Sequence, residues 1–309
     1  MKKIKTLLFS TTPFFLCIGM QFIAVFYLLF LAGIYLFVIA PAVLGQNHSI
    51  DEFFALAADT NFNTIASILF SVLCIFTFSY WLKSKKFGER RKLDIKKDFH
   101  PYEILGIALL VPGTQFLSSI VTGCVSMIFP SWLEEYEALL ENAGLVGDIP
   151  LLMMVYSVCL APIGEELAFR GVTMRIAKRA FPFWFANIIQ ALLFGLFHMN
   201  PLQACYTFVV GLFMGYICEK GGSIYHSILF HFLFNLWGTT ASQWLLVEDT
   251  AVQGFIIFAG TALGLTYGLR FLKKGVALKQ PAPEPEVEET EAAITENETN
   301  ETDTTSEDM

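Results

Sequence analysis

The chain has 309 residues, of which 55% are hydrophobic and 31 are Phe, and its mean hydropathy is +0.56. The apolar residues form long unbroken runs, which argues against a soluble globular domain and predicts an all-α, polytopic membrane protein. The formal net charge is −8, but 11 of the 28 acidic residues lie in 280–309. The remaining 17 stand against 20 Lys and Arg, so the body of the chain is slightly basic.

Eight apolar runs predict membrane-spanning helices, because a helix needs about 20 residues to cross the hydrocarbon core. In chain order they are 11–44, 62–82, 103–129, 150–170, 183–199, 202–218, 224–247 and 251–272. The first run follows a basic N-terminus and is too long for the core of a cleaved secretory signal, so we expect it to be retained. The predicted fold is a helical bundle of about eight transmembrane helices.

The charges of the connecting loops predict the orientation of the bundle. Lys and Arg concentrate in 83–97, 175–179 and 270–274, whereas the loops 45–61 and 130–149 contain acidic residues and no Lys or Arg. The positive-inside rule then places both termini in the cytoplasm, in a multi-pass protein of the cell membrane. Apolar residues at helical spacing over 131–145 predict a short outer-face helix, with a structural role preferred to a substrate gate.

Three regions follow from these patterns. Residues 1–100 hold the N-terminal spans and a basic cytoplasmic loop, and 101–275 form a membrane core with polar residues. Residues 276–309 form an acidic tail rich in Pro, Glu and Thr that lacks aromatic residues. Such a segment cannot bury enough apolar surface to offset its ordering entropy, so the tail is expected to be disordered.

Six polar side chains lie within the predicted spans, where charge is costly and usually faces a cavity or a partner. They are Glu165, Glu166, Arg170, His198, His231 and Asn235. Glu166 precedes Arg170 by four residues, which is the favourable order for an ion pair on a helix. Glu165 is rotated about 100° away and has no basic neighbour one turn along the helix. It therefore suits a general base, which must take up a proton at neutral pH.

Other functions remain open at this point. His231 and Asn235 share one helix face, but each could simply form a hydrogen bond between helices. A proton-coupled or ion-coupled transporter could use Glu165, Glu166 and the histidines as a relay. Internal repeats are common in transporters, and this sequence has no convincing repeat. A third possibility is an inactive membrane scaffold whose acidic tail recruits partners.

Three short motifs resemble the signatures of one protease family. The sequences EELAFR at 165–170, FGLFH at 194–198 and HFLFN at 231–235 match EExxxR, FxxxH and HxxxN. These are signatures of the CPBP family, the CAAX prenyl protease and bacteriocin-processing intramembrane proteases. All three motifs occur in order, and the resemblance covers roughly 100–245, which makes 101–275 the expected catalytic core.

The resemblance implies an intramembrane endopeptidase that cuts a membrane-associated peptide or protein. By the family pattern, Glu165 and His198 would activate a water molecule, and His231 and Asn235 would hold the oxyanion. The ion pair of the first motif would shape and support the site. Bacteriocin maturation, self-immunity and surface-protein processing are all compatible roles, and no nucleic-acid partner is expected.

The residues leave a metal requirement open. His198, His231 and Glu165 with one free position would suit a catalytic zinc, although no HExxH motif is present. Asn235 is a poor zinc ligand and a good oxyanion donor, which favours a metal-free site.

The predicted spans place the motifs at different depths. Counting about 1.5 Å per residue from the span ends puts Glu165 near the cytoplasmic side and His198 near the outer side. A shared site therefore requires the chain after Arg170 to continue beyond the predicted span. It also predicts that the turn at 199–201 borders the active-site cavity at membrane depth.

Overall fold

The computed structural model describes residues 2–84, 94, 98–240 and 250–279. Within these ranges all regular secondary structure is helical, which confirms the predicted all-α class. Where α-helical and π-helical segments run on without a break, we treat them as one helix. The helices are α1 Lys2–Leu44, α2 Ile50–Ala58, α3 Thr60–Leu82, α4 Pro101–Ile128, α5 Pro130–Asn142, α6 Leu151–Ala177, α7 Phe183–Phe197, α8 Pro201–Gly221, α9 Ile224–Thr240 and α10 Thr250–Lys279.

Six of these helices are long and apolar enough to cross a membrane, so the chain is a multi-pass membrane protein. They are α1, α3, α4, α6, α8 and α10. The predicted fifth and seventh spans correspond to α7, with 15 residues, and α9, with 17 described residues. Helix α7 is shorter than the roughly 20 residues that a span needs, whereas α9 runs up to 241–249, which lie outside the described residues. Among the described residues six helices are long enough to span, and the predicted fifth span is a shorter helix.

Helix α6 is longer than the predicted span, which ended at residue 170. It continues to Ala177 because its second half is almost entirely buried against α1, α3 and α7. Glu165 therefore lies twelve residues, or about 18 Å, from the end of α6. His198 lies fifteen residues, or about 22 Å, from the start of α7. Glu165 and His198 therefore lie at similar depths in the bundle, and the difference in depth expected from the sequence does not arise.

Glycines bring α4 and α10 into close contact. Gly260, Gly264 and Gly268 recur every four residues on α10, so they share one face of the helix. A Cβ atom on Gly264 would lie 2.6 Å from the Gly113 Cα atom, and one on Gly268 would lie 2.6 Å from a side-chain carbon of Leu110. Small residues at such spacing allow helix backbones to approach closely. This contact fixes α4, which forms one wall of the site described below.

Substitution of Gly264 by alanine is expected to destabilise the protein by about 1–3 kcal/mol, because the added methyl group overlaps the backbone of α4. Gly254→Ala is the matched control on the same helix, since nothing lies within 4 Å of a Cβ atom at that position. Thermal unfolding in one detergent measures both variants. Equal melting temperatures for the two would contradict the close contact between α4 and α10.

Basic residues gather at one end of the bundle, which we call the basic end. Phe9 and Trp81, 5.8 Å apart between ring centroids, join the start of α1 to the end of α3. Lys279 Nζ, 2.8 Å from Glu103 Oε1, joins the end of α10 to the start of α4. Among the described residues, every Lys and Arg except Arg170 lies in, or directly after, a helix segment at this end. This clustering agrees with the loop charges that the sequence analysis assigned to the cytoplasmic side.

The opposite end, which we call the acidic end, holds α2, α5 and the starts of α3 and α6. The Thr60 hydroxyl donates to the Asn142 carbonyl over 3.5 Å and joins α3 to α5. The described acidic residues of this end are Asp51, Glu52, Asp59, Glu134, Glu135, Glu137, Glu141 and Asp148. Helix α5 confirms the short helix that was predicted over 131–145.

Parts of the predicted organisation fall outside the described residues. These include most of the basic loop at 85–97 and the acidic tail from residue 280 onward. Helix α10 runs through residue 275 to Lys279, four residues into the segment assigned to the tail.

Candidate active site

A cavity of about 670 Å³ lies between α4, α5, α6, α8 and α9, next to the end of α7. Glu165 of α6, His198 at the end of α7, and His231 and Asn235 of α9 all line it. The four residues come from three separate regions of the chain, each with its own motif. The structure thus brings together all four side chains that were predicted to act on the substrate.

The predicted ion pair of the first motif forms behind this cavity. Arg170 Nη1 donates to Glu166 Oε1 over 2.7 Å, and both side chains are fully buried. Arg170 Nη2 also donates to the Gly211 carbonyl of α8 over 3.3 Å, and the guanidinium lies 4.3 Å from the ring centroid of Phe194. Arg170 therefore joins α6, α7 and α8 and neutralises the charge of Glu166.

His231 is held between the two carboxylates. Its Nδ1 atom is 3.0 Å from Glu166 Oε1, and its Nε2 atom is 3.8 Å from Glu165 Oε2. Because Glu166 is paired with Arg170 and only accepts, Nδ1 carries a hydrogen and donates it. Nε2 is then directed at Glu165. Glu166 thus positions His231, a contact between residues 65 apart that the sequence analysis did not predict.

His198 is oriented by the backbone of its own helix. Its Nδ1 atom donates to the Phe194 carbonyl over 2.8 Å, since a carbonyl can only accept. Nε2 therefore holds the lone pair. The Phe194 ring lies edge-on to both imidazoles, with centroids 4.9 Å from His198 and 5.8 Å from His231. Phe194 packs between the two histidines and fixes their spacing.

Asn235 is oriented by a π-helical segment of α6. Its Nδ2 atom donates to the Ser157 carbonyl over 2.8 Å, and Ser157 lies in the π-helical stretch Tyr156–Leu160. A carboxamide nitrogen carries two hydrogens, so one bond to Ser157 leaves a second hydrogen for another acceptor. The irregular backbone of α6 thus orients the third motif.

A polar stripe on α4 was missed by the sequence analysis. Five polar residues of α4 line the cavity: Gln115, Ser118, Ser119, Thr122 and Ser126. They follow helical spacing inside an otherwise apolar span, and this periodicity was the available signal. Gln115 Nε2 donates to the Phe234 carbonyl over 2.7 Å, which connects the stripe to the third motif.

The turn between α7 and α8 lies beside the cavity. His198 before the turn and Gln203 after it both line the cavity, and the Asn200 side chain accepts from the Gln203 backbone over 2.9 Å. Met199 itself points away: its side chain is 71% exposed, and its φ of 56° places it in the left-handed region. The prediction for this turn therefore holds for its flanking residues and not for Met199.

The three residues that could hold a zinc ion, His198, His231 and Glu165, line one cavity. Among the described residues, no three His, Cys, Asp or Glu side chains are grouped closely enough to hold a metal ion. Both imidazoles bond through Nδ1, which leaves Nε2 of each available. We derive no step through a metal at this site.

One comparison with known proteins identifies the region around this site. Residues 147–237 match the family model described as Type II CAAX prenyl endopeptidase Rce1-like. This match covers less than a third of the chain and agrees with the resemblance of the three motifs to the CPBP family. The matched segment contains all six predicted site residues and leaves α1–α5 and α10 outside. No curated protein and no solved structure matches the chain.

Proposed function

We propose that the chain is an intramembrane endopeptidase that hydrolyses a peptide bond in a membrane-associated peptide or protein. Glu165 and His198 activate a water molecule, and His231 and Asn235 stabilise the oxyanion. The observation that carries the proposal is the meeting of these four side chains in one cavity. The match to a family of CAAX-type membrane endopeptidases supports the reaction class.

The charges of the site suit this division of roles. Glu166 and Arg170 neutralise each other, which leaves Glu165 and His231 to supply the base and the donor. The proposed roles require an ionised Glu165 that takes a proton from water and a hydrogen on His231 Nε2 that is donated to the oxyanion.

The chemical step follows from these protonation states. The water molecule donates one hydrogen bond to His198 Nε2 and keeps that hydrogen. Its other hydrogen moves to Glu165 as a proton while the water oxygen bonds to the peptide carbonyl carbon. The carbonyl oxygen gains the negative charge and accepts from His231 Nε2–H and Asn235 Nδ2–H. The carbon–nitrogen bond then breaks as Glu165 passes its proton to the leaving amine. Donors aimed at the oxyanion can contribute about 3 kcal/mol each.

The transporter hypothesis uses the same residues but needs a route through the protein. A relay would have to connect the cavity with the basic end. In the described part of the chain, Phe169, Arg170, Gln190 and Phe230 fill the space behind the site and are fully buried. This packed layer favours a hydrolytic cavity with access from one side only.

The substrate, the surrounding lipid and the orientation are part of the same proposal. The substrate is a peptide or protein held at the membrane, and the chain is embedded in the bilayer of the cell membrane. Both termini face the cytoplasm, because the basic end carries the Lys and Arg of the connecting segments.

New protein termini in cells test the proposed function. A strain lacking the protein is complemented with the wild type or with Glu165→Gln, and N-terminal labelling followed by mass spectrometry compares their membrane fractions. We expect a small set of membrane-associated proteins to gain new termini only with the wild type. Identical termini in both strains would overturn the proposal.

Cleavage is expected to survive removal of divalent metals, because the site does not group three ligands. Purified protein is dialysed against EDTA and 1,10-phenanthroline, and cleavage of an identified substrate is compared with an untreated sample. We expect less than a twofold change. Loss of cleavage that returns on addition of Zn²⁺ would contradict the metal-free mechanism.

A further inference from the structure

Each helix that lines the cavity does so mainly with the part that lies toward the acidic end. The cavity is bounded by 115–126 in the second half of α4, by 156–165 in the first half of α6, and by 231–239 in the second half of α9. Helix α8 contributes 203–214, and its start lies near α5 at the acidic end. No described residue of the basic end lines the cavity. The site is therefore displaced toward the acidic end.

A packed layer separates the site from the basic end. Beyond Glu166, α6 continues for eleven residues, or about 16 Å, to Ala177. Gln190 Nε2 donates to the Gly211 carbonyl over 2.9 Å, and Asn187 Nδ2 donates to the Leu212 carbonyl over 3.0 Å, which ties α7 to α8 in this layer. Both of these side chains are fully buried. A polypeptide could not reach Glu165 from the basic end without opening this layer.

Helix α5 borders the cavity at the acidic end. Leu133, Tyr136 and Leu140 on one side of α5 line the cavity, while Glu134 and Glu141 are exposed. The Tyr136 and Tyr206 hydroxyls are 2.9 Å apart and join α5 to α8. Burial raises the pKa of Tyr136, so its hydroxyl stays protonated and can take part in this hydrogen bond. Between α5 and the site, the polar stripe of α4 provides a hydrophilic wall for water and a peptide backbone.

We propose that the active-site cavity takes its substrate from the extracytoplasmic side of the membrane. The basic end is assigned to the cytoplasm, so the acidic end and the cavity belong to the other half of the bilayer. The substrate class is then a polypeptide segment exposed on the outer face, such as the juxtamembrane part of an exported or membrane-anchored protein. This inference rests on the proposed function only for the nature of the substrate; the side of access is a separate property.

Thiol labelling in intact cells tests the side of access. The full chain has six free cysteines, and the three that are not buried, Cys124, Cys159 and Cys205, are replaced by serine. Single cysteines are then introduced as Ser126→Cys in the cavity, Glu141→Cys on the exposed face of α5, and Lys83→Cys at the basic end. Each variant is checked for a single gel-filtration peak and treated with a membrane-impermeant maleimide.

We expect Glu141→Cys and Ser126→Cys to be labelled in intact cells, and Lys83→Cys to be labelled only after permeabilisation. Labelling of Lys83→Cys in intact cells would overturn the orientation. Access from the outer face would be overturned if Ser126→Cys were labelled only after permeabilisation. It would also be overturned if Ser126→Cys were never labelled while Glu141→Cys was labelled in intact cells. These results do not depend on whether the protein cleaves any substrate.

A pair of reporters tests the substrate class. One juxtamembrane segment, taken from a protein whose cleavage has been detected, is placed on the outer side of a single-span reporter or on its cytoplasmic side. We expect cleavage of the outer reporter only. Cleavage of the cytoplasmic reporter alone would overturn the inference while leaving the proposed peptidase function intact. Failure to cleave either reporter, with the labelling result unchanged, would count against the proposed function and the substrate class but not the side of access.

Discussion

Replacement of Glu165 by glutamine is expected to lower the turnover of a cleaved substrate by about 10²–10⁴-fold, the usual contribution of a general base. Glutamine keeps the size of the side chain but cannot take the proton from water. It also removes the negative charge facing His231 Nε2, 3.8 Å from the carboxylate. Initial rates at saturating substrate measure the effect, and KM should change little because the side chain acts on water.

The control for this variant is Glu134→Gln, which removes an exposed carboxylate from α5 at the acidic end. Both proteins should unfold near the wild-type temperature, because glutamine keeps the size of the side chain at both positions. Wild-type turnover in Glu165→Gln would remove this carboxylate from the mechanism. Equal losses in the two variants would point to a general effect of surface or substrate charge.

Replacement of Arg170 by alanine is expected to cost about 3–5 kcal/mol of folding stability, because it leaves the buried Glu166 carboxylate without its counter-charge. The guanidinium also donates to the Gly211 carbonyl and lies over Phe194, so three helices lose a common partner. Activity should fall as well, since the Glu166 carboxylate that accepts from His231 Nδ1 is then no longer held in place by Arg170. Thermal unfolding and cleavage rates measure the two effects.

Two further variants separate charge from packing. The double variant Glu166→Gln, Arg170→Gln removes both charges and should recover part of the lost stability but not the activity. Lys178→Ala breaks a partly exposed pair with Glu219 and should cost only about 0–1 kcal/mol. If Arg170→Ala were no more destabilising than Lys178→Ala, the buried pair would not support the site as described.

Local contacts of the site could be predicted from the sequence, because they depend on helical periodicity. Glu166 and Arg170 are four residues apart on α6, and their ion pair follows from that spacing. The contact of His231 with Glu166 could not be predicted in this way. It depends on how α6 and α9 cross, which is set by packing over the whole bundle.

The lengths of the helices were predicted less well than their positions. Hydropathy ended the fourth span at 170, whereas burial of the following residues extends α6 to Ala177. Hydropathy also predicted that α7 spans the membrane, although its Asn187 and Gln190 are buried in contact with α8. An apolar run shows that a segment avoids water but does not distinguish contact with lipid from contact with protein.

Cleavage in water enriched in ¹⁸O tests most directly the claim that these four side chains activate water in one cavity. Purified protein and an identified substrate are mixed for a single turnover, and the products are analysed by mass spectrometry. We predict that each new carboxyl terminus carries one ¹⁸O atom with the wild type and that His231→Ala forms almost no product. Products without ¹⁸O, or undiminished cleavage by His231→Ala, would contradict the account.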